Sequence, residues 1–376
     1  MKFKIASKAL YSTLSGVSKV INTKNTISIL DNFLWEVTDD KLIITASDAE
    51  NTLTAQVAVK DVQGNSGSVC VNARRIVDMA KELPDVDVEI SIDPASGAMT
   101  IAFPGGSFDL VALQGNQYPR TIEDTDPDET SEMTCPAGQI VSGIEHTLFA
   151  VSTDELHPQM MGILWDIKED GITFVATDSR KLVRYVNKTS APGIVASCIL
   201  PVKPAVILKA LLGKEDEVKV TLSPRSAVFR TENLTLNCRF IRGNFPDYNR
   251  VIPNNPYQVT VDRGAIMTAV RRVSVCSDPS HGLIKFRFNP DHVEMKVDDL
   301  NMNTFAHEEV PCDFTGNQMV IGFSAGYLLE IFGILPTENV IIKLADPSRP
   351  GVFQPEENEE NTDLLIVLMV MSVQDF

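Results

Sequence analysis

The chain has 376 residues, 44% of them hydrophobic and 22% charged, with six cysteines and a formal charge of -17 at pH 7. That length is enough for two or three domains that each bury a core, and the composition excludes a disordered or fibrous chain. A charge of this sign excludes unspecific attraction to nucleic acid or anionic membrane, provided it is evenly spread.

The first stretch, MKFKIASKALYSTL, is basic, but polar residues interrupt every apolar run, so it does not read as a secretion signal. A helix is expected over SKALYSTLSGVSKVI, followed by a loop carrying Lys24. LIITASDAENTLTAQV then reads as strand, polar turn with Asp48, and strand. SVCVNARRIVDMAKEL reads as a short strand running into a helix, with Ile76, Met79, Ala80 and Leu83 at helical spacing. The alternating VDVEISI, then GNQYP and the acidic TIEDTDPDETSEM, close this first pass.

The same order returns twice. The second pass runs through AGQIVSGIEHTLFAVS, ITFVATDSRKLVRYV with Asp178, ASCILPVKPAVILKALL and EVKVTLS, and ends at GNFPDY and the proline-rich IPNNPYQ. The third runs through RGAIMTAVRRVSVCS, VEMKVDDLNMNTFAHEEV with Asp298, and QMVIGFSAGYLLEIFGIL. Asp48, Asp178 and Asp298 are 130 and 120 residues apart, a domain-sized period. The expectation is an α+β fold of three repeated domains, over residues 1–126, 127–253 and 254–376. The acidic EENEEN is a solvated loop of the third. The longest apolar run, LLIVLMVM, is far below the roughly 18 residues of a spanning helix. The cysteines lie 36 to 65 positions apart and read as buried or half-buried thiols of a reducing compartment. A cytoplasmic chain without membrane partners is expected.

Motifs for chemistry are weak. GFSAG (322–326) matches a nucleophile elbow, but no histidine follows Ser324, and the repeat places Ser324 where Asn72 starts a helix, so an N-cap is the simpler reading. The histidines form no H-E-x-x-H or i, i+4 pair, and no phosphate-cradling glycine loop is present. No catalytic residue, metal or cofactor is expected. Asp178-Ser179-Arg180 aligns with Asp48-Ala49-Glu50 and Asp298-Asp299-Leu300, in which only the first Asp recurs, so it reads as a turn device. Charge, however, is segregated: the six helical segments sum to +7 within a chain of -17. Basic helices in an otherwise acidic chain suit a polyanion gripped through its phosphates without base reading.

The MKFKI start, NTISILDNFLWEV, TASD, ATDSRKL, RGNFPDYNRV and IGFSAGYLLEI, in this order on top of the repeat, resemble the bacterial sliding clamps, the β subunits of DNA polymerase III. The resemblance covers essentially the whole chain. It implies a head-to-tail homodimer forming a closed ring, with paired helices inside against double-stranded DNA and antiparallel sheets outside. It also implies a processivity role without catalysis, by effective concentration. Its implied partners are the replicative polymerase α subunit, the clamp loader, and other polymerases and repair proteins with clamp-binding peptides. Their docking groove would be walled by Met160, Thr177, Asp178, Ser179, Arg180, Lys181, Leu182, Pro246, Arg250, Val251, Val367, Leu368, Met369, Val370 and Met371. DNA contacts would fall on Lys24, Arg74, Lys203 and Arg271, and the dimer interface on Phe108, Leu110, Val273 and Val275. Two departures bear on the groove: the chain finishes MVMSVQDF where the family commonly reads close to M-P-M-x-L, and His157-Pro158-Gln159 stands where relatives often carry aromatics. The competing readings are a serine hydrolase using Ser324 and a triplicated scaffold unrelated to DNA.

Overall fold

A computed structural model describes residues 1–64, 67–93, 95–119, 130–278, 282–299, 303–373 and 376. The end of the first pass, with most of the acidic linker, His281 and Leu300, lies outside them. Six α-helices are described: α1 (Ser7–Val17), α2 (Ala73–Lys81), α3 (Ala137–Thr147), α4 (Val202–Leu212), α5 (Arg263–Ser274) and α6 (Ala325–Ile334). In the second and third passes the order is strand, helix, four strands, helix, three strands; the first adds a break at Val59 and a short strand, Leu113–Gln114. The strand preceding each opening helix (Lys2–Ala6, Ser131–Pro136, Tyr257–Asp262) is an element the sequence reading left out.

Two helices, α2 and α5, carry a side-chain N-cap. Asn72 accepts a bond from the Arg75 N–H at 3.1 Å, and Asp262 accepts one from Ala265 at 2.6 Å. Ser324 occupies the N-cap position of α6, but its side chain makes no capping bond. The opening helices stop short of the apolar runs that follow them. Residues Ser18–Val20 and Leu148–Ala150 continue as single 3₁₀ turns, which carry the same hydrophobic spacing for three more residues.

Two compact units result, Met1–Ile140 with Lys203–Phe240, and Val141–Val202 with Ile241–Phe376. The first holds a five-stranded and a nine-stranded antiparallel sheet, with α1 packed on α2. The second holds one twelve-stranded sheet, with α5 packed on α6. Several strands alternate buried and half-buried residues, as in Lys41–Ser47. Gly171–Thr177 is buried throughout. On one face Phe174 presses on α3 so closely that a Cβ at Gly143 would sit 2.5 Å from its ring. On the other, Val175 joins Leu164, Leu182, Ile199, Tyr248, Val352, Leu365 and Val367 in a second core cluster. That second layer exists because the 241–252 segment lays Ile241, Phe245, Tyr248 and Ile252 across the sheet.

Two of the three Asp turns are built alike. Asp48 accepts bonds from the N–H groups of Glu50 and Asn51, and Asp178 from those of Arg180 and Lys181. The residue after each aspartate has positive φ, 78° at Ala49 and 70° at Ser179. The hydroxyls of Ser47 and Thr177 both donate to the closing carbonyl and both accept from the positive-φ residue. The shared element is therefore larger than the aspartate alone. The third copy departs: Asp298 lies inside the strand His292–Asp299, opposite Phe305, and its carboxylate meets Lys285 Nζ at 3.1 Å. The expected equivalence of Asp298 with the other two is corrected accordingly.

None of the described cysteines is in a disulfide; Cys70, Cys135 and Cys238 are buried and the others half-buried. Burial pushes the Cys238 thiol up to about 12. None of the described helices is long and apolar enough to cross a membrane.

Candidate functional site

Strand Lys181–Asn187 pairs antiparallel with Thr362–Leu368, setting Leu182 opposite Val367. Their side chains share one face, and the 241–252 segment walls that face on one side. A cleft of about 260 Å³ opens there, lined by Met160, Thr177, Ser179, Arg180, Lys181, Leu182, Phe245, Pro246, Tyr248, Val251, Val367 and Met369. Leu182 and Val367 form a buried floor, while Val251 and Met369, 45% and 43% exposed, form an open rim. Met160 is buried beneath Ser179, whose hydroxyl donates to its sulfur at 3.6 Å. The Met369 N–H donates to the Arg180 carbonyl at 2.8 Å, tying the last strand to the turn.

The charge nearest the turn that ends the cleft is Lys181. Its side chain is 5% exposed, and its ammonium lies 3.1 Å from Asp178 and 2.8 Å from Glu330 and sits over the Tyr327 ring at 4.2 Å. Burial alone would lower its pKa, but Glu330 and Asp178 outweigh that and hold it above the ordinary lysine value. Lys181 pairs with Leu368, so its charge lies on the sheet face opposite the slot, where it ties the turn to α6. On the cleft wall itself, burial and the Asp166 carboxylate push the Tyr248 phenol up to about 12, and its hydroxyl donates to Asp166 at 2.9 Å.

Five of the expected groove residues are not among those lining the cleft. Asp178 turns inward to hold its own turn and Lys181. Leu368 is 1% exposed, because strand alternation sends it to the face opposite Val367 and Met369. Arg250 reaches outward to pair with Asp247. Val370 lies beyond the strand, and Met371 bonds Gly322 through its backbone. Phe245 and Tyr248 line the cleft although sequence reading did not single them out; the available signal was two aromatics within the short polar stretch GNFPDYN.

Among the expected DNA contacts, Lys24, Arg74 and Arg271 are exposed. Lys203 is not: its ammonium donates to the Val20 carbonyl, to Asn22 Oδ1 at 2.7 Å and to Asp48 Oδ2 at 2.5 Å, which uses all three of its donors internally. Among the expected interface residues, Phe108 and Leu110 lie on the edge strand Gly106–Val111, with Phe108 against Phe103 at 5.3 Å. Val275 is 83% exposed, but Val273 is 1% exposed and belongs to the core side of α5, so it does not offer an interface. Among the described residues, one group of metal-ligating side chains converges, Glu294, His307 and Glu309, away from the cleft.

Comparison with known proteins gives one family throughout. The N-terminal, central and C-terminal domain models of the DNA polymerase III beta subunit match residues 1–122, 135–247 and 249–370 in turn. The chain is 27% identical over 370 residues to the beta sliding clamp of Pseudomonas putida, covering 96% of this chain and 98% of that protein. It is 26% identical over 377 residues to the beta sliding clamp of Staphylococcus aureus, covering 97% and 98%. The crystal structure of the Pseudomonas aeruginosa DnaN sliding clamp bound to griselimycin superposes with a TM-score of 0.93 at 26% identity, over 99% of this chain and 100% of that one. The Caulobacter crescentus DNA polymerase sliding clamp superposes at 0.89 and 26%, with the same coverage. Three domain models in the family's own order and full-length superposition on solved clamps agree with the repeat read from the sequence, and the chain belongs to the family of bacterial DNA polymerase III beta subunits, the sliding clamps.

Proposed function

We propose that the chain works as a DNA sliding clamp: a ring-shaped homodimer that encircles duplex DNA, tethers the replicative polymerase α subunit and carries out no catalysis of its own. The proposed domains are 1–126, 127–253 and 254–376. Clients dock in the cleft as short extended peptides, and they include the clamp loader and repair proteins as well as polymerases; the site of action is the cytoplasm. The observation that carries this reading is the cleft itself, a preformed apolar floor of Leu182 and Val367 with a few polar groups at its rim. Hydrophobic anchors of a peptide fill the floor, and the exposed Ser179 and Arg180 end sets its direction.

DNA is held by exposed cations rather than by base contacts. Lys24, Arg74 and Arg271 serve here, and Lys203 supports the fold instead. Phe108, Leu110 and Val275 supply the dimer contact. The test pairs two measurements on the full chain: retention on nicked circular DNA before and after linearisation, and fluorescence polarisation of a polymerase-tail peptide with hydrophobic anchors. A topological clamp is retained on the circle, is lost from the linear form and binds the peptide. Equal retention on both forms would remove the ring, and absent peptide binding would remove the cleft's role. A monomer by light scattering, with no retention, would favour the triplicated scaffold.

A further inference from the structure

We propose that the solvent-facing side of the strand pair His292–Asp299 and Thr304–Phe314 carries a binding site for a divalent transition-metal ion, formed by Glu294, His307 and Glu309. Strands His292–Asp299 and Thr304–Phe314 run antiparallel with Glu294 opposite Glu309 and Lys296 opposite His307. Because Val293, Met295 and Val297 are buried, residues 292, 294 and 296 point outward together. His307 and Glu309 are two apart on the neighbouring strand and share that face. The arrangement is thus an i, i+2 pair plus one cross-strand residue, which brings three donors to one point on a rigid sheet.

The distances fit a small ion. His307 Nε2 lies 3.8 Å from Glu294 Oε2 and 3.8 Å from Glu309 Oε1. All three donor atoms lie within 4.8 Å of one another. Ligands around zinc, with bonds of about 2.0–2.2 Å, stand about 3.4 Å apart. Both histidine pairs therefore need to close by only a few tenths of an ångström.

Charge bears on the same site. Like charges directly opposite on a sheet are destabilising, and Glu294 faces Glu309, with Arg287 offsetting part of that charge from the side of Glu294. Arg287 meets Glu294 Oε2 at 3.2 Å and Asn289 donates to its Oε1 at 2.9 Å, which fixes that carboxylate in place. Lys296 turns away, over the Phe305 ring and toward Asp298. His292 is held by Asp291 at 2.7 Å and by Asn289, and stays outside the group. A cation between Glu294 and Glu309 removes the repulsion, and orientation of a ligand by neighbouring hydrogen bonds raises affinity. One imidazole with two carboxylates selects Zn²⁺, Co²⁺ or Ni²⁺ over Mg²⁺ or Ca²⁺. The His307 side chain is 39% exposed and that of Glu309 57%, so the ion reaches the site without any opening of the fold.

The experiment is isothermal titration of Zn²⁺ into chelator-treated full chain, repeated with Co²⁺ while following visible absorption. The expected result is one tightly held ion per chain, with His307→Ala and Glu309→Gln each weakening it tenfold or more. Binding by both variants at parent affinity would overturn the proposal by placing the ion elsewhere, as on the thiols. Absence of saturable binding to the parent would overturn it as well. Glu309→Gln preserves size on an exposed strand, so it remains informative even if His307→Ala folds poorly.

Discussion

Replacing Lys203 with methionine separates the DNA contact that the family resemblance implies from the supporting role that its hydrogen bonds give it. If Lys203 grips phosphate, the change lowers DNA retention and leaves the fold intact. Its place in the structure predicts the reverse. The ammonium joins the Val20 carbonyl, Asn22 Oδ1 and Asp48 Oδ2, and the Asp48 side chain is 5% exposed. Removing one partner of a buried ion pair costs about 3–5 kcal/mol. Two features reduce that figure: Lys203 is 31% exposed, and Asp48 keeps bonds from the Glu50 N–H, the Asn51 N–H and the Asn51 amide. About 2 kcal/mol remains, or roughly 4–8 °C of melting temperature for a unit of this size. The cost depends on pH. Burial pushes the Asp48 pKa up, but the Lys203 and Asn51 bonds outweigh it and hold the carboxyl below its ordinary value. A group with a depressed folded pKa stabilises above its unfolded pKa, about 3.9, and loses that contribution as pH falls through the folded value. Scanning calorimetry at pH 7 and below pH 4 is therefore expected to show a large gap between parent and Lys203→Met at pH 7 that narrows in acid. A variant as stable as the parent at pH 7 that falls off nicked circles would refute the reasoning and restore Lys203 to the DNA surface.

Three further outcomes are expected. Met369→Ala weakens client-peptide binding about tenfold because Met369 forms the open rim, whereas Met371→Ala, whose backbone pairs with Gly322, changes it by less than about threefold; fluorescence polarisation distinguishes the two. Neutralising Lys24 and Arg74 together shortens retention on circular DNA and lowers the salt slope by about 0.9 for each phosphate no longer neutralised, read from dissociation at several salt concentrations. Val275→Asp, on an 83% exposed side chain, gives monomers in sedimentation velocity without loss of melting temperature, while Val273→Ala costs about 2 kcal/mol of stability by emptying a core position.

Local periodicity made most of the fold legible. Alternating strands, Asx turns and cap residues all act within a few positions, so Asn72 marks a helix start and the ATDSRKL turn lies between two strands as expected. What escaped was set by distant contacts. The partners of Lys203 are 155 to 183 residues away, and no spacing rule shows that a basic residue at a helix start is consumed there. Tyr248 lines the cleft only because its segment crosses a sheet face, and its hydroxyl partner Asp166 is 82 residues distant. The family resemblance supplied the 177–182 wall, which periodicity by itself reads as an ordinary turn. His307 and Glu309 were passed over for a related reason: a search at helical spacing misses an i, i+2 pair whose third member is cross-strand.

The two matching turns show how one local device acquires two uses. Both have a hydroxyl, an aspartate, a residue at positive φ and the same set of hydrogen bonds. They differ at the closing residue, Asn51 in one and Lys181 in the other. The Asn51 amide bonds the Asp48 carboxylate, but an amide leaves a nearly buried carboxylate without a counter-ion, and Lys203 provides it from far along the chain. Lys181 is its own counter-ion: it satisfies Asp178 from within the turn and has a second donor left for Glu330. No outside lysine has to lie against this turn, and its outer edge at Ser179 and Arg180 stays exposed beside the apolar floor. The outer edge at Ala49 and Glu50 is exposed in the same way, so what sets the second turn apart is the 241–252 segment, which walls an apolar floor beside it.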